Sequence, residues 1–245
     1  MTDLAPPTRT AGRVLIVGPS DASGATGIQA AIKSTSALGA FAAAAVTAVI
    51  ADEAAAPVMI PPVSIAAQMR AILADIGADV LVIDGLAGEA QIQAVADILE
   101  GEARGIPVVL DLAGADDEAR TLLAPLARIV VLPSDADPRD TASALATRGL
   151  AVLATSAGGD VLAEGATVSA FPARRGTDRP IRGAGPSLAA AIAAGLAQGL
   201  PLAAAVRRGR DYLEEAIVTA PDFGRGAAPL NHVHTCRHTP ASFES

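Results

Sequence analysis

The sequence predicts one α/β domain built on a mostly parallel sheet. Three observations carry that expectation. Short β-branched runs alternate strictly with segments of helical apolar spacing. The chain is 51% hydrophobic but only 2% aromatic, with no Trp. Its 245 residues suffice for one large core. A core drawn from Ala, Val, Ile and Leu suits thin layers of helices laid on a parallel sheet. Repeated strand and helix then implies right-handed crossovers.

Residues 1–12 are rich in Pro and Thr without apolar period, and read as a loose tail before a domain over residues 13–232. The run R-V-L-I-V-G at 13–18 is β-branched and closed by Gly-Pro, which predicts a buried strand opening into a loop at 20–27. Residues 28–38 carry helical spacing, and Gly39 stands where a C-terminal cap belongs. Next come a strand at 42–50, a helix at 65–77, a strand at 80–83 and a helix at 89–99. The pattern continues with a strand at 107–112, a short helix at 116–126, a strand at 128–132, a helix at 140–149 and a strand at 151–155. Residues 165–172 read as a hairpin arm, 185–199 and 201–216 as two Ala-rich helices, and 233–245 as a C-terminal tail.

A formal net charge of −8 disfavours nucleic acid and anionic membrane surfaces as partners. The longest apolar stretches, such as 41–51, are too short to cross a bilayer, and the start lacks a basic region followed by an apolar core, so a cytoplasmic location is expected. A single cysteine, Cys236, cannot form an internal disulfide.

Two glycine loops could carry chemistry. The first, with Gly24 and Gly27, opens a helix, whose N-terminus offers unpaired N–H groups and a positive dipole end. Its spacing fits neither the dinucleotide fingerprint nor the Walker loop, and a tight turn remains the alternative. The second runs R-G-A-G-P-S-L from Arg182 to Leu188. There Gly183 and Gly185 permit close backbone approach, and Pro186 suits a first helical position.

Taken together, the loops and their surroundings resemble the hydroxymethylpyrimidine phosphate kinases. Residues 19–33, P-S-D-A-S-G-A-T-G-I-Q-A-A-I-K, parallel that family's G-S-D-x-S-G-G-A-G-I-Q-A-D-x-K, and T-S-A-L-G follows at 35–39. A-V-T-A-V-I-A at 45–51 is similar to the strand before the family's V-A-Q-N. G-A-G-P-S-L at 183–188 falls where the family has G-T-G-C-T-L, and G-R-G-A-A-P-L-N-H ends at His232. The resemblance implies a ribokinase-like three-layer α/β/α sandwich with a mostly parallel central sheet. It also implies ATP and magnesium, a pyrimidine alcohol or its phosphate as acceptor, and a homodimer. Carried over residue by residue, Ser20, Asp21, Gly24, Gly27 and Asp52 would surround the acceptor. Gly183, Ala184 and Gly185 would form the anion hole, Thr155 and Arg182 would face the nucleotide, and Asp137 would hold magnesium.

Several polar positions depart from the pattern. The family's Cys, implicated in catalysis, is Pro186, which has neither an ionisable group nor an N–H. Ser187 beside it is a poor general base without a partner. The acidic residue of I-Q-A-D is Ala31, the amide of V-A-Q-N is Asp52, and the basic residue after the late strand is Thr155. The D-P-V-M segment is reduced to Asp111-Leu-Ala. Arg182, Arg179 and Lys33 are the cations nearest in sequence that could substitute. Near the end, His232, His234, Cys236 and His238 alternate, so an extended strand would gather them on one face as zinc or copper ligands. The family's own tails carry a histidine after P-L-N, which argues against a metal there. Two readings stay open: an ATP-dependent kinase, or a catalytically impaired relative that binds a pyrimidine-like or other small molecule.

Overall fold

The computed structural model describes residues 11–52, 54–113, 115, 117–146 and 150–236. Strands β1 (Arg13–Asp21), β2 (Phe41–Ile50), β4 (Val80–Ile83), β5 (Val108–Asp111), β6 (Ile129–Pro133) and β7 (Ala151–Thr155) run parallel. The two-residue strand β3 (Val58–Met59) closes one edge antiparallel to β2. An antiparallel hairpin, β8 (Gly159–Glu164) and β9 (Thr167–Pro172), closes the other. The order is β3-β2-β1-β4-β5-β6-β7-β8-β9. The chain leaves β1 toward β2 and returns to β1's other side as β4. The carboxyl ends flanking β1 are therefore a switch point, where ligands collect in open α/β sheets.

Strand alternation decides which helices cover which face. Leu15, Val17, Leu81, Ile83, Val108 and Leu110 point to a core shared with α2 (Pro62–Asp75), α3 (Glu89–Glu100), α4 (Asp117–Leu123) and α5 (Pro138–Ala146). Val14, Ile16, Val80, Val82 and Val109 point the other way, to α1 (Gly27–Ala37), α6 (Ala184–Ala197) and α7 (Leu202–Val218). The period of two thus builds three layers, as expected. Helix α6 is buried continuously from Pro186 to Gly195, and its glycine lets α7 approach closely: a Cβ on Gly195 would come 2.9 Å from that of Ala205 on α7. Among the described residues no helix is long and apolar enough to cross a membrane.

Some boundaries differ for identifiable reasons. Helix α2 starts at Pro62, three residues before the apolar pattern, because proline fits a first turn. The expected helix at 116–126 ends at Leu123 and passes into a 3₁₀ turn (Ala124–Leu126) around Pro125. The expected hairpin arm is β9, and its partner β8 was not anticipated. A second pair, β10 (Ile181–Arg182) with β11 (Ala228–Pro229), ties the glycine loop to the segment that precedes the His232 turn. Among the described residues of the His/Cys segment, His232–Thr235 form a 3₁₀ turn, not an extended strand.

Candidate active site

The two glycine loops meet. Gly183 is the N-cap of α6 in the left-handed region (φ 85), and a Cβ there would overlap the carbonyl oxygen of Ala25. Helix α6 begins at Ala184, so Pro186 is its third residue, still in the turn where an N–H lacks an intrahelical acceptor. Ala184 and Gly185 keep their N–H groups at this end, whereas Pro186 offers none. The Ser187 hydroxyl is buried without a hydrogen-bond partner.

The first loop is braced from within. Asp21 accepts hydrogen bonds from the Ser23 N–H and hydroxyl and from the Thr26 N–H at 3.1 Å, and Arg182 Nη2 stands 3.7 Å away. Burial works to raise the Asp21 carboxyl, but the Ser23 and Thr26 bonds and the Arg182 charge outweigh it and hold the group below its usual range. Gln29 ties Ser20 and Asp21 together, taking the Asp21 N–H at 2.9 Å and donating to the Ser20 hydroxyl at 2.7 Å. Gly24 and Gly27 both have positive φ, and the Lys33 ammonium donates to the Gly24 carbonyl at 2.8 Å. Ala31 faces the core between sheet and α6. Asp52 is exposed on the turn after β2, where it accepts the Ala54 N–H at 3.1 Å. The resemblance groups Asp52 with Ser20 and Asp21 around the acceptor; the hydrogen bond to its Oδ1 is the one from this turn.

Across the sheet ends, Asp111, Thr155, Arg174, Ala184 and Gly185 line a cleft of about 170 Å³. Asp111 Oδ1 accepts the Ala113 N–H at 2.9 Å, while Oδ2 is buried, has no hydrogen-bond partner, and lies 2.7 Å from where a Cβ on Gly185 would stand. Burial pushes both Asp111 and Asp84, at the neighbouring end of β4, well above the usual carboxylate range, and the Asp111 charge pushes Asp84 further. Thr155 donates to the Leu132 carbonyl at 3.3 Å. Asp137 is exposed at the start of α5, accepts the Arg139 N–H at 2.8 Å, and does not line this cleft.

The three cations singled out from sequence point elsewhere. Lys33 closes the first loop, Arg182 faces Asp21, and Arg179 pairs with Asp222 and donates to the Gly224 and Gly226 carbonyls. The cation on the cleft is Arg174, which follows β9 and pairs with the buried Asp160. No motif marks Arg174 or Asp160, because their placement depends on β8, for which the sequence carries no separate signal.

At the chain end His232 Nδ1 lies 2.8 Å from the Tyr212 hydroxyl and 3.3 Å from that of Ser34, between α1 and α7. Burial, then the Lys33 charge, pushes His232 down to about 4. Among the described residues no three His, Cys, Asp or Glu side chains are arranged to hold a metal; His238 lies outside them.

Comparison with known proteins identifies the family. The sequence profile of the phosphomethylpyrimidine kinase family matches residues 21–131 and 137–231. The hydroxymethylpyrimidine/phosphomethylpyrimidine kinase of Rhizobium meliloti is 33% identical, over 90% of this chain and 96% of that protein. The thiamine biosynthesis bifunctional protein ThiED of Geobacter sulfurreducens is 30% identical, over 91% of this chain and 52% of its own length. Among solved structures, an ADP complex of Bacillus subtilis pyridoxal kinase superposes with a TM-score of 0.84 at 24% identity, covering 91% of this chain and 98% of that one. At that identity the likeness shows the ribokinase-like fold alone.

Proposed function

This chain belongs to the phosphomethylpyrimidine kinase family, and from that premise we propose that it transfers a phosphoryl group from ATP to hydroxymethylpyrimidine or its phosphate in thiamine biosynthesis. The observation that carries the reading is the Asp111 carboxylate, buried and with Oδ2 unpartnered, facing Gly185 where the two glycine loops converge.

ATP with magnesium would supply the phosphoryl group and neutralise charge as it moves. Asp111 fits the cation. A buried carboxylate with a free oxygen and a raised pKa gains from a divalent charge, and Asp84 is a second carboxylate beside it. Magnesium is commonly held by one or two carboxylates together with substrate phosphates. The Ala184 and Gly185 N–H groups, at the positive end of α6, bind phosphate oxygens. The first loop, braced by Asp21 and Gln29, holds the acceptor against them. A homodimer belongs to the same proposal, and light scattering on the purified chain tests it.

A second reading draws on Pro186. The first turn of α6 itself, Ala184 to Ser187, carries no ionisable side chain, and the Ser187 hydroxyl has no hydrogen-bond partner to take the acceptor's proton. On that reading the pocket binds its ligand without turnover. Calorimetric titration with ATP and magnesium, then with hydroxymethylpyrimidine, followed by a product assay on the same sample, separates the two. ADP and a phosphorylated pyrimidine are expected; binding without product would establish the second reading.

A further inference from the structure

The cluster that places Arg174 on the cleft has an unbalanced charge. Asp160 is fully buried, and its Oδ2 is shared by Arg174 Nη1 and by Arg210 Nε at 2.7 Å. Its Oδ1 is taken by the Ser156 N–H at 3.1 Å. One carboxylate thus serves two guanidinium groups, leaving one positive charge in excess among side chains only 18% and 6% exposed. A poorly solvated surplus charge is costly unless an anion joins it.

The surplus falls on Arg174. Arg210 is held under the sheet edge by the Pro172 carbonyl at 2.6 Å and by the Phe171 ring, 4.7 Å from its guanidinium carbon. Arg174, in contrast, lines the cleft with Thr155 and Gly185. The neighbouring Arg175 is spoken for by Glu214 and Glu215. Position 155 is where the resemblance implies a basic residue, and Thr155 and Arg174 border one cleft.

We propose that Arg174 binds the terminal phosphates of the nucleotide, taking over the charge that Thr155 lacks, and that Asp160, shared with Arg210, positions it. A guanidinium suits this task, because its planar fork can keep one nitrogen on Asp160 while others meet phosphate oxygens. The inference rests on the kinase reading of the cleft.

The test is the affinity of the full chain for ATP and for AMP, both with magnesium, by calorimetry. Arg174→Gln should weaken ATP about 10- to 100-fold and leave AMP within about twofold, so the ratio of the two constants changes. Thr155→Lys added to Arg174→Gln should restore ATP preference. If Arg174→Gln folds poorly, Arg174→Lys keeps the pair with Asp160 but loses the fork, and should still weaken ATP relative to AMP by several-fold, so an unchanged ratio in that variant overturns the assignment. Equal weakening of ATP and AMP, or an unchanged ratio, would overturn the assignment while leaving the kinase reading intact. No nucleotide binding by the unaltered protein would remove the kinase reading itself, and this inference with it.

Discussion

The backbone of Ala25 occupies the space that a side chain on Gly183 would need, so the loop after β1 and the loop before α6 touch without any side chain between them. Because Gly183 also has φ 85, Gly183→Ala faces both a clash and a disfavoured backbone. The variant should lose about 2–4 kcal/mol of stability and most ATP binding; thermal melts and calorimetry check both.

Asp111 costs stability in order to hold a charge. Burial raises its pKa, so the fold prefers the protonated form, and the cost grows as pH climbs from the ordinary carboxylate range toward neutrality. Asp111→Asn should therefore raise stability at pH 8 by roughly 1–2 kcal/mol and flatten its dependence on pH, while abolishing magnesium-dependent turnover. Denaturant melts at pH 5 and pH 8, with a product assay, give the answer; a variant less stable at pH 8 would contradict the account.

Pro186 withholds a proton acceptor from the head of α6. Pro186→Cys should raise turnover about a hundredfold with little change in ATP affinity, since the Ala184 and Gly185 donors stay in place. Single-turnover kinetics beside ATP titration separate the two effects. Combined with Thr155→Lys, the change should give turnover even where the parent shows none.

His232 makes the fold acid-sensitive. Its pKa is pushed down to about 4 by burial, then by Lys33, so in falling pH the unfolded chain takes up a proton at about 6.5 that the fold refuses. Stability from this site is whole above that value and is lost progressively down to about pH 4, by roughly 2–3 kcal/mol. His232→Gln should remove that slope, as melts across the interval would show.

Much of the architecture was legible because strand and helix periods are local properties. Val14 to Val17 alternate between two cores, as their sequence pattern requires, and both glycine loops were found from spacing and resemblance. What escaped was set by pairing at a distance. Strand β8 follows β7 through a short glycine turn, with Gly159 bonded back to the Ser156 carbonyl, and no helical segment announces it. Arg174 and Asp160 became part of the site only through that hairpin. In the sequence Asp111 is a remnant of a shortened motif, but its unpartnered oxygen is a matter of three-dimensional packing. Conversely, Arg179 and Lys33 are close to the loops in sequence yet engaged by other groups.

The pairing of Tyr212 with His232 has an optical consequence. The chain has 1 Tyr and no Trp, and that phenol is hydrogen-bonded to His232 and lies against the His234 ring, 5.0 Å between centroids. Its near-ultraviolet emission therefore comes from one known place, where the last 3₁₀ turn docks between α1 and α7. Undocking of that turn could be followed by fluorescence without any attached dye, as an event distinct from the melting of the sheet.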